Sequence, residues 1–271
     1  MGDAGSVELP EAYYLPLADD TFESTAATTS PWDPNAQHGG PPSALLARAV
    51  DATTDDPTFT IARLTVDMLG PIPQGVVRTE AEVTRPGRRV EMVTARLFAN
   101  DALAVTATAW RVREEAGSTA HLVEPAAELP PLPETEVTSY FEGVPPDWGY
   151  GPSVEWRFVE GGFDGPPTGR ARLWTRPRLP LVAGEETAPL HRLMVVADSA
   201  NGVSARLPIL EWWSIPNTFT VTVERLPTDE WLWMDAATDI GPHGRGVAHA
   251  VLSDRAGVLA HVAQPLLVRR R

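Results

Sequence analysis

The 271-residue chain contains no cysteine, and because all 22 of its basic residues are arginine it contains no lysine either. Without cysteine there is no disulfide framework, no thiolate nucleophile and no cysteine-ligated zinc or iron–sulfur cluster. Without lysine there is no Schiff base, which excludes pyridoxal-phosphate chemistry. Positive charge is scarce as well: 36 acidic residues against 22 arginines leave a net charge of −14. Nucleic-acid binding needs a basic face to attract phosphates, so no nucleic-acid partner is expected. No apolar run approaches the roughly 18 residues of a membrane span, so no membrane partner is expected. The opening MGDAGSVELPEAYY lacks the basic and apolar regions of a secretory signal, and the cytoplasm is the expected location. His121, His191, His243, His249 and His261 show no metal-ligand spacing, so the expectation is no metal and no cofactor, while the lone His38 reads first as structural and second as lining a substrate pocket.

What the chain does contain is a repeat. Residues 64–112 and 219–268 carry the same order of alternating strands and turns, with Val112 answering Val268 and Gly87 answering Gly244. An offset near 156 residues marks a duplicated domain, since solenoid units run about 20–50 residues. The expected organisation is an N-terminal repeat over 1–125, a Pro-rich connector over 126–152 and a C-terminal repeat over 153–271. Residues 1–37 read as a leader with at most one strand. Residues 38–52 read as a helix, with Pro41 and Pro42 in its first turn and Leu45, Leu46, Ala49 and Val50 as its apolar stripe. A second helix is expected from Thr187 as N-cap, through Leu190, Leu193, Met194 and Ala197, to a stop at Asn201-Gly202. Each half is thus one helix and several antiparallel strands, an α+β arrangement in which the helix lies in the curve of its sheet.

The segments HGGPPSALLARA (38–49), TRPGRRVEMVTARLF (84–98), ADSANG (197–202), DEWLWMDAAT (229–238) and HVAQPLLVR (261–269) resemble those of the double-hotdog acyl-CoA thioesterase II family. The likeness covers most of the chain from about residue 30. It implies a double hotdog fold, two tandem repeats each with a sheet wrapped around one helix, and hydrolysis of acyl-CoA thioesters. That family carries an Asp near the end of the second helix, a Thr or Ser on the next strand and a Gln on the last strand. The resemblance assigns these roles to Asp198 and Gln264. The hydroxyl falls within Ser214-Ile215-Pro216-Asn217-Thr218-Phe219-Thr220, which departs from the family's T-I-D pattern. Thr218 takes the role, with Thr220, Ser214 and Asn217 as alternatives.

The residues carry their own physics beside the resemblance. Asp198 sits at the margin of the apolar stripe and in the last helical turn, where the helix dipole disfavours an anion by about 0.3–1 kcal/mol. A carboxylate placed so has a raised pKa and suits a general base; the plainer reading is a helix-end Asp bonded to Asn201 or an arginine. Gln264 shares a strand face with Val262, Leu266 and Val268, so its amide must find partners or cost about 1–3 kcal/mol. A site water and Asp198 would serve, as would a stray backbone group. His38-Gly39-Gly40 before a helix offers free N–H groups that polarise a carbonyl oxygen, or alternatively close packing. Arg88 and Arg89, beside Arg85 at a Gly turn, read first as a solvated hairpin and second as a patch for the phosphates of coenzyme A.

Together these give an acyl-thioester hydrolase working by water attack, with no G-x-S-x-G elbow and no covalent intermediate. Gln264 and Thr218 would hold the water, and backbone N–H groups around Gly40 would polarise the carbonyl. A hotdog hydratase is disfavoured, since it needs a His about five residues after the Asp and 198–203 has none. The unsettled hydroxyl keeps open a non-catalytic protein of the same fold that binds an acyl or lipid thioester. Chain length, the carrier (coenzyme A or acyl-carrier protein) and a homodimer of double hotdogs are left open by the sequence.

Overall fold

A computed structural model describes residues 8–115, 128–140, 143–144 and 148–271. His121 and part of the Pro-rich connector lie outside the described residues. The first half runs β1 (Tyr14–Ala18), β2 (Thr21–Ser24), β3 (Ala36–Gln37), α1 (Gly40–Asp51), β4 (Phe59–Met68), β5 (Ile72–Pro73), β6 (Val76–Arg85), β7 (Val90–Ala99) and β8 (Ala102–Arg113). The second runs α2 (Tyr150–Ser153), β9 (Val154–Glu160), β10 (Arg170–Pro177), α3 (Pro189–Ala197), α4 (Ala200–Val203), β11 (Trp212–Pro216), β12 (Thr218–Val223), β13 (Leu232–Ile240), β14 (Arg245–Asp254) and β15 (Gly257–Arg270). The strands follow from period-two alternation: along β7, Val93, Ala95, Leu97 and Ala99 are buried while the residues between them are not.

Thirteen strands form one antiparallel sheet whose order reads alike from either end. From one edge it runs β1-β2-β6-β7-β8-β4, and from the other β9-β10-β13-β14-β15-β12, with β11 pairing beside β15. The duplication thus appears as two equivalent half-sheets joined at their last strands. At the join Leu64 lies opposite Val221 and Val66 opposite Phe219, and the hydroxyls of Thr65 and Thr220 meet at 3.0 Å. This is the double hotdog architecture.

The helices depart in detail from the single-stripe expectation. In α1 every residue from Gly40 to Ala47 is buried, and only Arg48 and Asp51 are partly exposed. The reason is that α1 lies between its own half-sheet and α3, so it has almost no solvent face. The leader holds three strands among its described residues, β1, β2 and the short β3, rather than one. Thr187 does not cap α3: its hydroxyl accepts from the Leu181 N–H, and Ala188 stands at the N-cap. Nor do Asn201 and Gly202 end that helix. It stops at Asp198, its C-cap, and they belong to α4. The end of the expected connector is core: Trp148 and Tyr150 are buried, packed with Trp156 of β9 in a cluster that draws on both halves. Among the described residues no helix is long and apolar enough to cross a membrane.

Candidate active site

The two long helices lie side by side with the start of α1 against the end of α3. Gly40 makes that approach possible, since a Cβ there would lie 2.0 Å from the Val195 carbonyl oxygen. Gly39 clears space for Asp198 in the same way: its Cβ would fall 2.7 Å from Asp198 Oδ2 and 2.8 Å from Met68 Sδ. The Asp198 carboxylate therefore meets the N-terminal end of α1, and the Gly39 N–H donates to it. The unfavourable dipole at the end of α3 is offset by the favourable one at the start of α1.

Gln264, fully buried on β15, fixes the carboxylate from behind. Its Nε2 donates to Asp198 Oδ1 at 2.9 Å and to the Asp198 carbonyl at 3.1 Å. Its Oε1 accepts from the Asn201 N–H at 2.9 Å. The Asn201 side chain is held in turn by Ser214, donating to its carbonyl at 2.7 Å. Asp198 is 6% exposed. Burial pushes its pKa up to about 7, against the lowering bonds from Gln264 and Gly39.

His38 approaches Asp198 Oδ2 with Nδ1 at 3.5 Å. The contact is no ion pair, because burial lowers the His38 pKa to about 3 and leaves the ring neutral. Nδ1 accepts the Gly40 N–H at 3.1 Å, so the ring proton sits on Nε2. No hydrogen-bond partner for Nε2 exists among the described residues. The ring is stacked on Tyr150, centroids 3.7 Å apart and planes 3° from parallel. The Tyr150 hydroxyl donates to the Val195 carbonyl at 2.8 Å and meets Ser199 Oγ at 2.7 Å. Imidazole orientation is thus set by a tyrosine bonded to α3 itself.

These groups open onto a cavity of 630 Å³ whose wall includes His38, Gly39, Asp198, Asn201 and Asn217. The rest is largely apolar, with Met68, Trp148, Trp156, Phe163 and Trp213 on it. Such a volume suits a small organic ligand oriented by a few polar groups. A second cavity of 370 Å³ adjoins it, sharing Trp32, Phe163 and Asn201.

The structure brings together Asp198, Gln264, His38 and Gly39, and leaves other expected residues elsewhere. Gln264 stands behind Asp198 rather than on the cavity wall, with its amide bonded on both sides. Thr218 is not part of the cluster: its hydroxyl donates to the Val66 carbonyl at 2.9 Å, across the join. Thr220 is bonded to Thr65, and Ser214 faces Asn201. From this stretch Ile215, Pro216 and Asn217 line the cavity, so only Asn217 offers it a polar side chain. Gly40 is a contact between helices, and both its N–H and that of Gly39 are already bonded. Arg88 and Arg89 are remote. Their turn adjoins Arg113, which pairs with Phe59 at the start of β4, while Met68 at the other end of β4 lines the cavity. Nine residues of strand span roughly 30 Å. Tyr150 and Met68 were missed. The one available signal for Tyr150 was an aromatic cluster, Trp148 and Tyr150, within a segment that otherwise read as linker.

Two models of the same family match the chain: an acyl-CoA thioesterase N-terminal domain over residues 28–112 and an acyl-CoA thioesterase C-terminal domain over 126–268. The chain belongs to the acyl-CoA thioesterase II-like family. It is a thioester hydrolase. Among solved structures, it is similar to a putative thioesterase II from Thermobifida fusca YX, at 18% identity over 96% of each chain and a TM-score of 0.76. A conserved protein of unknown function with hot dog fold from Alicyclobacillus acidocaldarius shares 21% identity over 96% of this chain and 97% of that one, TM-score 0.69. An acyl-CoA thioesterase II, TesB2, from Mycobacterium marinum shares 20% over 95% of each, TM-score 0.66. At these identities the structures speak to the thioesterase's fold. No curated protein matches it by sequence.

Proposed function

We propose that this thioesterase hydrolyses the thioester of a fatty or related acyl-CoA by direct attack of water, with Asp198 as general base. The observation that carries the reading is a buried carboxylate, its pKa raised to about 7, on the wall of an apolar cavity. A base with that value is ionised enough at neutral pH to act and basic enough to take a proton from water. Gln264 touches no substrate. It is a positioning residue that holds Oδ1 and leaves the remaining lone pairs of the carboxylate for the water. With the Gly39 and Gly40 N–H groups occupied, the donor toward the thioester carbonyl is His38 Nε2. A neutral imidazole held by stacking and by the Gly40 N–H stabilises an oxyanion without giving up its proton. The acyl group occupies the aromatic-walled cavity. The water proton passes to Asp198 and then to the departing thiolate, so hydrolysis ends in a carboxylic acid and a free thiol.

The test is thiol release from acyl-CoA substrates of graded chain length, comparing the wild type with Asp198→Asn. Release that falls at least about a hundredfold in the variant supports the assignment. Equal release by both proteins removes Asp198 from the mechanism.

A further inference from the structure

In a chain of net charge −14, three consecutive arginines, Arg269, Arg270 and Arg271, follow one another where β15 ends beside the cavity. Arg269 lies on its wall, beside Leu267 and Trp213. On β15 it is paired directly with Trp213 of β11, so both side chains leave the sheet on one face. The Arg271 guanidinium rests 3.8 Å from the centre of the Trp213 ring and 5.7 Å from that of Trp32. Trp32 and Trp213 are themselves 5.8 Å apart. Arg270 is paired with Trp212, whose side chain lines the smaller cavity instead. All three arginines are exposed. Among the described residues none of them reaches a carboxylate at ion-pair distance. By contrast Arg48, Arg157, Arg172, Arg176 and Arg225 are all neutralised by acids. Two carboxylates stand on the same cavity wall: Asp198 in the catalytic cluster, and Asp33, whose Oδ1 accepts the Asn35 N–H.

Unneutralised guanidinium groups gathered on one face of an otherwise acidic surface form a local anion site. Their place at the mouth puts them outside the reacting bond. We propose that Arg269 and Arg271, on the Trp32–Trp213 platform, bind the phosphates of the nucleotide end of the thioester carrier, while the acyl end enters the cavity toward Asp198. This rests on the acyl-CoA reading above and moves phosphate recognition away from Arg88 and Arg89. Packing of the Arg271 guanidinium on the tryptophan rings already restricts it, so less side-chain freedom is lost when a phosphate is bound.

The experiment is a calorimetric titration of wild type, Arg269→Ala/Arg271→Ala and Arg270→Ala with coenzyme A and with pantetheine, which keeps the thiol arm but has no phosphate. Wild type is expected to bind coenzyme A at least about tenfold more tightly than pantetheine, and the double variant to lose that gap. Arg270→Ala removes one charge from the same strand on the opposite face, and should change coenzyme A affinity less than about threefold. Coenzyme A affinity equal in wild type and double variant overturns the assignment. So does wild type that binds pantetheine as tightly as coenzyme A, or that binds coenzyme A not at all. Binding is read without turnover, so the hydrolytic mechanism fails separately: a wild type that binds coenzyme A through Arg269 and Arg271 yet releases no thiol would keep this subsite and remove Asp198 from its role.

Discussion

Asp198 holds its proton to about pH 7 in the folded chain, against an ordinary value of 3.8. The folded state therefore binds more protons than the unfolded state through that window, and stability must fall as pH rises through it. Asp198→Asn has the same shape and cannot ionise, so it lacks this loss. Between about pH 4.5 and about pH 8.5 the stability of the variant relative to wild type should rise by about 3 kcal/mol, the integral of one proton over the part of the shift that falls in that range. His38 contributes with the opposite sign. Its folded value near 3 lies below the ordinary 6.5, so it costs stability as pH falls below 6.5. That contribution is common to both proteins and cancels in the difference, as do hydrogen bonds gained or lost at all pH values. The assay is urea unfolding of both proteins at several pH values, with the slopes checked for equality. Parallel stability curves would refute the reasoning, because a carboxylate that titrates normally leaves no pH-dependent difference. A variant that is inactive yet gains stability with pH would show a group kept at a cost in stability.

The pH dependence of kcat/KM should rise to a plateau with an inflection near 7, and in Gln264→Ala the inflection should move to higher pH, because the bond from Gln264 lowers the Asp198 pKa; steady-state kinetics from about pH 5 to about pH 9 would check both. Thr218→Val should leave turnover within about twofold and cost about 1 kcal/mol of stability, since its hydroxyl serves only the Val66 carbonyl; a loss of turnover without a loss of stability would bring the hydroxyl back into the site. Gly39→Ala should cut turnover at least about tenfold, because the new methyl collides with Asp198 Oδ2 and displaces the carboxylate; thiol release together with a melting curve separates this from unfolding.

The duplication and the two helices were legible because both rest on local pattern. Alternation and turn residues repeat near an offset of 156, and the sheet order turned out to repeat with them. Asp198 was legible for a similar reason: a charged residue at the edge of an apolar stripe breaks a pattern. The hydroxyl was not. Thr218 and Asn217 are neighbours in sequence, and which one faces the cavity depends on the register between β12 and β4, where Thr218 lies opposite Asp67. One residue of register exchanges the two faces, and no local signal fixes a pairing between strands about 150 positions apart. Gly39 and Gly40 were read as donors to a ligand because the sequence shows free N–H groups at a helix start. It cannot show that His38 and Asp198 arrive to occupy them. Tyr150 was hidden by its surroundings, since a Pro-rich stretch gives no sign that its last residues turn inward.

The symmetry of the sheet raises the question of why the polar cluster occurs once. Antiparallel helices place the start of α3 beside the end of α1, as they place the start of α1 beside the end of α3. Asp51 closes α1 as Asp198 closes α3, and it too has a histidine: His191 Nε2 lies 2.9 Å from Asp51 Oδ2. The likeness ends there. Asp51 is 40% exposed at its side chain, against 6% for Asp198, and among the described residues no glutamine or asparagine amide donates to it. The start of α3 also carries Ala188-Pro189 where α1 has Gly39-Gly40, so no glycine clears a place for the acid. The difference between the two ends is therefore not the acid or the histidine, which both ends have. It is the glycine that admits the carboxylate, the glutamine that holds it and the burial that raises its pKa, and only the Asp198 end has all three.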